Sequence, residues 1–267
     1  MGASVAERIS ALDTTLFDHV EVQLDVEDRR SLLALHAGCR AAFGSFYYLE
    51  IGSHLGGSLQ AFVRDSACHT IVSVDPRPES QPNERGIHYR YSGNTTQRML
   101  DALAAIPGAE LGKLHPIERG TDELSPSEID ASPQLAFIDG EHTDGAALRD
   151  ARFCATAMNE SGCVAFHDAF VVYRGIRRFL SELEGHERPF SAYLLPDSIF
   201  VVELGDPRLL ETEQVAGRAR EGFKAYFHAL AETEPFRAEY RRFPHRTLRR
   251  LERFVADTAR IMRRGGG

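Results

Sequence analysis

Asp139, Gly140, Glu141 and His142 close one short apolar run of the chain, and His167 and Asp168 close another. Aspartate and histidine both ligate divalent ions, and histidine is the side chain whose ordinary proton affinity suits acid–base work near neutral pH. A stretch of helix length separates the two clusters. If their strands are adjacent, both clusters meet at the mouth of one cleft. Asp139, His167 and Asp168 are then a candidate divalent-ion site, and His142 a candidate general base. The bland alternative is a set of separate polar loop residues that cap their elements.

Two further strand ends carry chemistry. The first is followed by Glu50, Gly52, Ser53, His54, Gly56, Gly57 and Ser58. Gly52, Gly56 and Gly57 allow a tight turn and close approach to a ligand. The helix expected next would add its N-terminal N–H groups. The spacing is GxxxGG, not the GxGxxG of a dinucleotide loop, so the loop suits a nucleoside-like ligand without a diphosphate and argues against a nicotinamide-dependent oxidoreductase. Asp75 follows 25 residues after Glu50, close to the roughly 20-residue offset at which an acid receives ribose hydroxyls. A carboxylate can accept from both hydroxyls of a vicinal diol; a turn aspartate ahead of Pro76 is the alternative. His54 is a second base candidate or a residue that orders its turn. His115 and His245 are expected at the surface or in packing.

These residues need a frame. The 267-residue chain is 43% hydrophobic and 26% charged, with a net charge of −8, the profile of a globular protein and not of one built to coat nucleic acid. No run approaches the roughly 20 apolar residues of a membrane span. The start has no basic-then-apolar leader, and Ala6 stands where an acylation pattern wants Ser or Thr. Cys39, Cys68, Cys154 and Cys163 have no CxxC spacing and are expected as small buried thiols in a reducing cytoplasm. Apolar runs at 46–51, 70–75, 113–118, 135–139 and 163–168 alternate with helical patterns at 96–106, 145–158 and 174–184. That order predicts a parallel sheet covered on both faces. The segments 191–195 and 199–204, joined by a Pro196 turn, predict a hairpin and hence one antiparallel strand. Three parts follow: a helical N-terminal cap over 1–43, with a helix at 26–40 whose first turn is acidic; an α/β domain over 44–205; and a helical extension over 206–267.

The extension is basic. Between 237 and 264 ten arginines face three acids, with Leu248, Leu251, Val255, Thr258 and Met262 on one helical face and Arg246, Arg249, Arg250 and Arg253 on another. A packed helix with a solvated basic face explains this. A homodimer contact or a surface for an anionic partner are the sharper alternatives.

Taken together, 48–58, 73–75, 137–142 and 161–168 resemble the class I S-adenosylmethionine-dependent methyltransferases. Within them, the chain is similar to the group whose fourth and fifth strands read IDG-x-H and GG-x-x-x-x-HD. The resemblance spans about 45–205. It implies a doubly wound α/β fold, Rossmann-like, with a mostly parallel seven-stranded sheet, one antiparallel strand and helical extensions at both ends. It also implies that Glu50, Gly52 and Ser53 line the methionine part of the cofactor and that Asp75 holds the ribose. Gly56 belongs to the same loop. Gly120, Thr121 and Asp122 would lie beside the adenine, and Asp139 near the sulfonium and the acceptor. In metal-dependent relatives the Asp139 position and an acidic pair ending the fifth strand bind Mg²⁺. Here His167 and Asp168 stand in place of two acids, and Ser161-Gly162 replaces a Gly-Gly turn. A histidine ligand admits Mn²⁺, Fe²⁺ or Zn²⁺ beside Mg²⁺. The implied activity is methylation of a hydroxyl on a small natural product or sugar, in secondary metabolism and in the cytoplasm, without a membrane or nucleic-acid partner. Two rivals stand beside it: an RNA methyltransferase that uses the basic C-terminal helix, and a noncatalytic partner protein that keeps the fold. Acceptor specificity would lie in the cap, in 170–174 and in the C-terminal helices.

Overall fold

The computed structural model describes residues 2–129, 132–158 and 161–241. Its strands are β1 (Phe46–Ile51), β2 (Cys68–Val74), β3 (Ser80–Pro82), β4 (His88–Arg90), β5 (Leu114–Ile117), β6 (Leu135–Ile138), β7 (Gly162–Phe166), β8 (Phe190–Leu194) and β9 (Phe200–Leu204). Seven of them form one sheet in the order β5-β2-β1-β6-β7-β9-β8, with β9 antiparallel to both its neighbours and the other pairings parallel. This is the expected Rossmann-like methyltransferase fold. β6, β7 and β9 are buried at every position, as strands covered on both faces must be.

The helices are α1 (Val5–Ser10), α2 (Val26–Phe43), α3 (Thr96–Ala104), α4 (Asp144–Ala157), α5 (Tyr173–Gly185), α6 (Glu213–Ala216) and α7 (Phe223–Arg241). Alternate sheet residues, among them Tyr48, Ile71, Phe137 and Val201, join one core with Leu32, Leu33 and Leu35 of α2 and Met99 and Leu103 of α3. The other sheet face carries α4 and α5, where Phe166 meets Phe179 edge-on at 6.2 Å. All four cysteines are free and buried, and burial raises each thiol above its ordinary pKa.

The chain divides into compact units at Met1–Phe223 and Lys224–Gly267. The N-terminal helices therefore share a unit with the sheet. The amphipathic basic stretch 242–264 lies outside the described residues. Among the described residues no helix is long and apolar enough to cross a membrane.

Two local features differ from expectation. After the glycine loop there is no α-helix, only a 3-10 turn over Ser58–Gln60 followed by further turns. Gln60 accounts for this: its side-chain oxygen accepts the N–H groups of His19 and Val20, and its amide nitrogen donates to the carbonyls of Phe17, Val20 and Gly57. The loop is spent on fastening the N-terminal segment. The second feature is the β3–β4 hairpin, whose short and largely polar strands carry too weak an alternation to be seen in sequence.

Candidate active site

Strand register brings four chemistry-bearing residues into a row. Ile51 pairs with Val74 on one side and with Ile138 on the other, and Ile138 pairs with Phe166. The next residues are Gly52, Asp75, Asp139 and His167. Each continues the ladder by one bond: Gly52 N to Val74 O (2.9 Å), Asp75 N to Ile117 O (3.0 Å), Asp139 N to Ile51 O (2.8 Å) and His167 N to Ile138 O (3.0 Å). The order of connection reverses between β1 and β6, and such a switch point at the carboxyl edge is where open α/β sheets bind ligands.

A cleft opens there. Its walls include Gly52, Ser53, His54 and Asp75, then Tyr91 and Asn94 after the hairpin, Asp139 and His142, and the N-terminal segment Glu21, Val22, Gln23 and Leu24. Two glycines make this possible. At Gly52 (φ +86°) a Cβ would stand 2.4 Å from the Asp139 carbonyl oxygen, and at Gly57 a Cβ would stand 2.4 Å from the Glu21 carbonyl oxygen. No side chain fits between these backbones.

The expected cofactor residues are placed as follows. Gly52, Ser53, Asp75 and Asp139 line the cleft, whereas Gly56 sits behind it against Leu103 and Met99. Glu50 does not reach the cleft surface. It is fully buried, and its carboxyl accepts from the Tyr48 and Ser58 hydroxyls, each at 2.5 Å. Burial pushes its pKa up to about 8 against those hydrogen bonds. Asp75 accepts the N–H groups of His54 (2.9 Å) and Arg77 (2.8 Å). Arg77, unnoticed in the sequence, folds back with its guanidinium 3.3 Å from Asp75 and donates to the His54 carbonyl, to Ser53 Oγ (3.0 Å) and to Asn94 Oδ1 (3.2 Å). Gly120, Thr121 and Asp122 do not line the cleft. The Thr121 hydroxyl instead donates to the buried Asp150 carboxylate of α4, and Arg149 Nε donates to Thr121 at 3.1 Å.

The acid–histidine clusters do meet. His167 Nδ1 lies 2.8 Å from Asp139 Oδ1, and His142 Nε2 lies 3.3 Å from the same oxygen. The Thr143 hydroxyl caps α4 by accepting Ala146 N–H at 3.2 Å, which sets His142 at the turn just before the helix. Asp168 reaches the cluster through His142, with its carboxylate 3.4 Å from Nε2. Among the described residues the donor atoms of Asp139, His142 and His167 converge within 4.8 Å, and Asp168 is joined to this set through His142. Burial by itself lowers the His167 pKa, but the Asp139 charge and the hydrogen bonds to Asp139 and Asp28 outweigh it and hold the ring well above its ordinary value. The Asp139 carboxyl is conversely held below the usual range, because His167 and His142 outweigh its burial.

One member was missed in sequence. Asp28, in the first turn of α2, is 2% exposed and lies 3.2 Å from His167 Nε2. An acid in a helix's first turn is ordinarily explained by the helix dipole, which hid its second use. A second cavity adjoins the first along Val22, Gln23 and Leu24, and His167, Asp168, Phe170 and Asp197 line it.

Residues 49–169 match the family described as "Methyltransferase domain". No curated protein sequence matches the chain. Several solved structures are similar in fold. CalS11, a TDP-rhamnose 3'-O-methyltransferase of calicheamicin biosynthesis, is 16% identical over 76% of this chain and 94% of its own, with a TM-score of 0.49. An O-methyltransferase from Bacillus cereus in complex with SAH is 11% identical over 77% and 92%, with a TM-score of 0.47. The O-methyltransferase TomG from Streptomyces achromogenes, in complex with SAM and involved in tomaymycin synthesis, is 12% identical over 77% and 91%, with a TM-score of 0.46. Likeness at this level carries no substrate from those enzymes to this chain. Residues 49–169 are thus similar to a methyltransferase domain, and they lie on a sheet whose strand order is the Rossmann-like one expected of such a domain.

Proposed function

We propose that the chain transfers the methyl group of S-adenosylmethionine to a hydroxyl oxygen of a small molecule, a natural product or a sugar. The observation that carries this is the convergence of Asp139, His142 and His167 at the edge of the cleft that Gly52, Ser53 and Asp75 also line. The acceptor oxygen attacks the methyl carbon, the carbon–sulfur bond breaks, and S-adenosylhomocysteine leaves with a neutral sulfur. Positioning supplies much of such a rate. The acceptor enters from the second cavity, and its hydroxyl proton passes to His142, whose ring Asp139 and Asp168 orient. The donor set also fits a divalent ion such as Mg²⁺ or Mn²⁺. Asp139 Oδ1 and His167 Nδ1 are 2.8 Å apart, a spacing two ligands can keep with bonds of about 2.0–2.2 Å. Asp139, His142 and His167 would hold it, and when bound it would supply Lewis acidity to the acceptor oxygen.

Calorimetry with S-adenosylmethionine and its demethylated product tests the cofactor, and the absence of heat with either would overturn the proposal in favour of a noncatalytic partner protein. His142→Ala is expected to lower turnover about 100-fold or more with cofactor affinity unchanged; equal turnover removes its role. Exhaustive chelation separates the two uses of His142. Full turnover without metal assigns it to the proton, and loss of turnover restored by Mn²⁺ assigns it to the ion. The RNA and homodimer alternatives rest on the basic stretch 237–264, of which 242–264 lies outside the described residues.

A further inference from the structure

A closed circuit of contacts runs through the acid–histidine cluster and leaves the methyltransferase domain to do so. From Asp139 it passes to His167 Nδ1 (2.8 Å), then from His167 Nε2 to Asp28 Oδ2 (3.2 Å). Ser198 Oγ donates to Asp28 Oδ2 (2.9 Å) and accepts the N–H of Asp168 (3.3 Å). Asp168 returns through His142 (3.4 Å) to Asp139 (3.3 Å). Asp28 comes from α2 and Ser198 from the β8–β9 turn, both outside the 49–169 match. Asp28 is 2% exposed and Ser198 5%. The second Asp28 oxygen accepts Ser198 N–H at 3.0 Å, so Ser198 holds both carboxylate oxygens and His167 shares one of them. A buried carboxylate is stable only when so paired. An outer carboxylate on the far nitrogen of an active-site histidine sets which nitrogen carries hydrogen and which way the ring faces.

We propose that Asp28 is the positioning residue for His167, so that the N-terminal helix α2 is part of the catalytic apparatus and not only a cover for the sheet. This rests on the methyl-transfer function proposed above. Asp28 accepts the Nε2 hydrogen and so keeps Nδ1 turned toward Asp139. Asp28 lines the second cavity and not the cofactor cleft, so its loss falls on turnover and not on cofactor binding.

The test is Asp28→Asn in the full chain. The expected result is turnover lower by about 10- to 100-fold, an unchanged dissociation constant for S-adenosylmethionine, and loss of the slowly exchanging Nε2-bound proton of His167 from the imidazole region of the NMR spectrum. Wild-type turnover, or an unchanged Nε2 proton signal, would overturn the proposal. Equal losses in turnover and cofactor affinity would also overturn it, since they would mark a purely structural role. If the wild type binds no S-adenosylmethionine, the functional proposal fails, while the Nε2 proton still reports on Asp28. Should the variant not fold, Ser198→Ala removes one of the two donors that grip Asp28. About a threefold loss of turnover with a broadened Nε2 proton is then expected, and no change in either sinks the idea.

Discussion

Two aspartate–histidine pairs, one fully buried and one partly so, lie at opposite ends of the same sheet with nearly the same separation. His36 Nε2 is 2.7 Å from Asp65 at the amino-terminal end of β2, and His167 Nδ1 is 2.8 Å from Asp139 at the carboxyl end of β6. Their surroundings make them different groups. His36 is fully buried and stacked on Phe62 at 4.2 Å, and its Nδ1 has no hydrogen-bond partner among the described residues. Desolvation therefore lowers its pKa, against the pull of the Asp65 carboxylate, which Arg40 also contacts. His167 has a carboxylate on each nitrogen, and these raise its pKa despite its burial. Asp65 also accepts Ala67 N–H, and its carbonyl receives Lys113 Nζ, so that pair fastens the turn into β2. Only the Asp139 pair borders the cleft. Pair distance thus says little about role; what occupies the histidine's second nitrogen says more.

The same substitution at each aspartate should separate the two pairs. Asp139→Asn should lower turnover about 1,000-fold, worth about 4 kcal/mol of barrier, with the melting temperature shifted by only a few degrees. Turnover within tenfold of wild type would remove Asp139 from the chemistry. Asp65→Asn leaves Arg40 and His36 without their charge partner and should cost about 3 kcal/mol of stability, roughly 6–12 °C in Tm. Its kcat/KM should stay at the wild-type value, measured well below the melting point. A large loss of turnover there would break the contrast.

Stability against pH sharpens it further. Burial raises the Asp65 pKa, but hydrogen bonds from His36 and Arg40 more than offset this, and the folded value lies below the ordinary 3.8. Its contribution is present above about pH 4 and lost as the pH falls. Glu50 has the opposite sign. With a folded pKa of about 8 against 4.5, its contribution is full below about pH 4.5 and is lost as the pH rises through 8. Denaturant titrations from about pH 2 to 9 should show a flatter alkaline decline in Glu50→Gln and a flatter acid decline, below about pH 4, in Asp65→Asn. Unchanged profiles would contradict these assignments.

Residue types at strand ends were legible before any fold was known. Glycine at 52 and acids at 75 and 139 follow apolar runs too short to be anything but covered strands, and period and length alone place α3, α4 and α5 within two residues. The cap over 1–43 was visible as helix and expected near the acceptor, but its contact with His167 was not. Asp28 satisfies a local rule for helix starts, and local rules do not show a distant partner. The 3-10 turn after the glycine loop was likewise hidden, because Gln60 is held by Phe17, His19 and Val20, some 40 positions earlier.

Alternating hydrophobicity and turn chemistry are properties of neighbours along the chain, and they suffice for strands, helices, their order, and the residues that must cap each strand. Which of those residues touch is a matter of register between β1, β2, β6 and β7, and of where α2 and the β8–β9 turn come to rest. These long-range placements arise from burying one shared core, in which no single segment carries the information. The closed circuit through Asp28 and Ser198, the withdrawal of Glu50 from the cleft and the convergence of His142 with Asp139 and His167 are all set at that level.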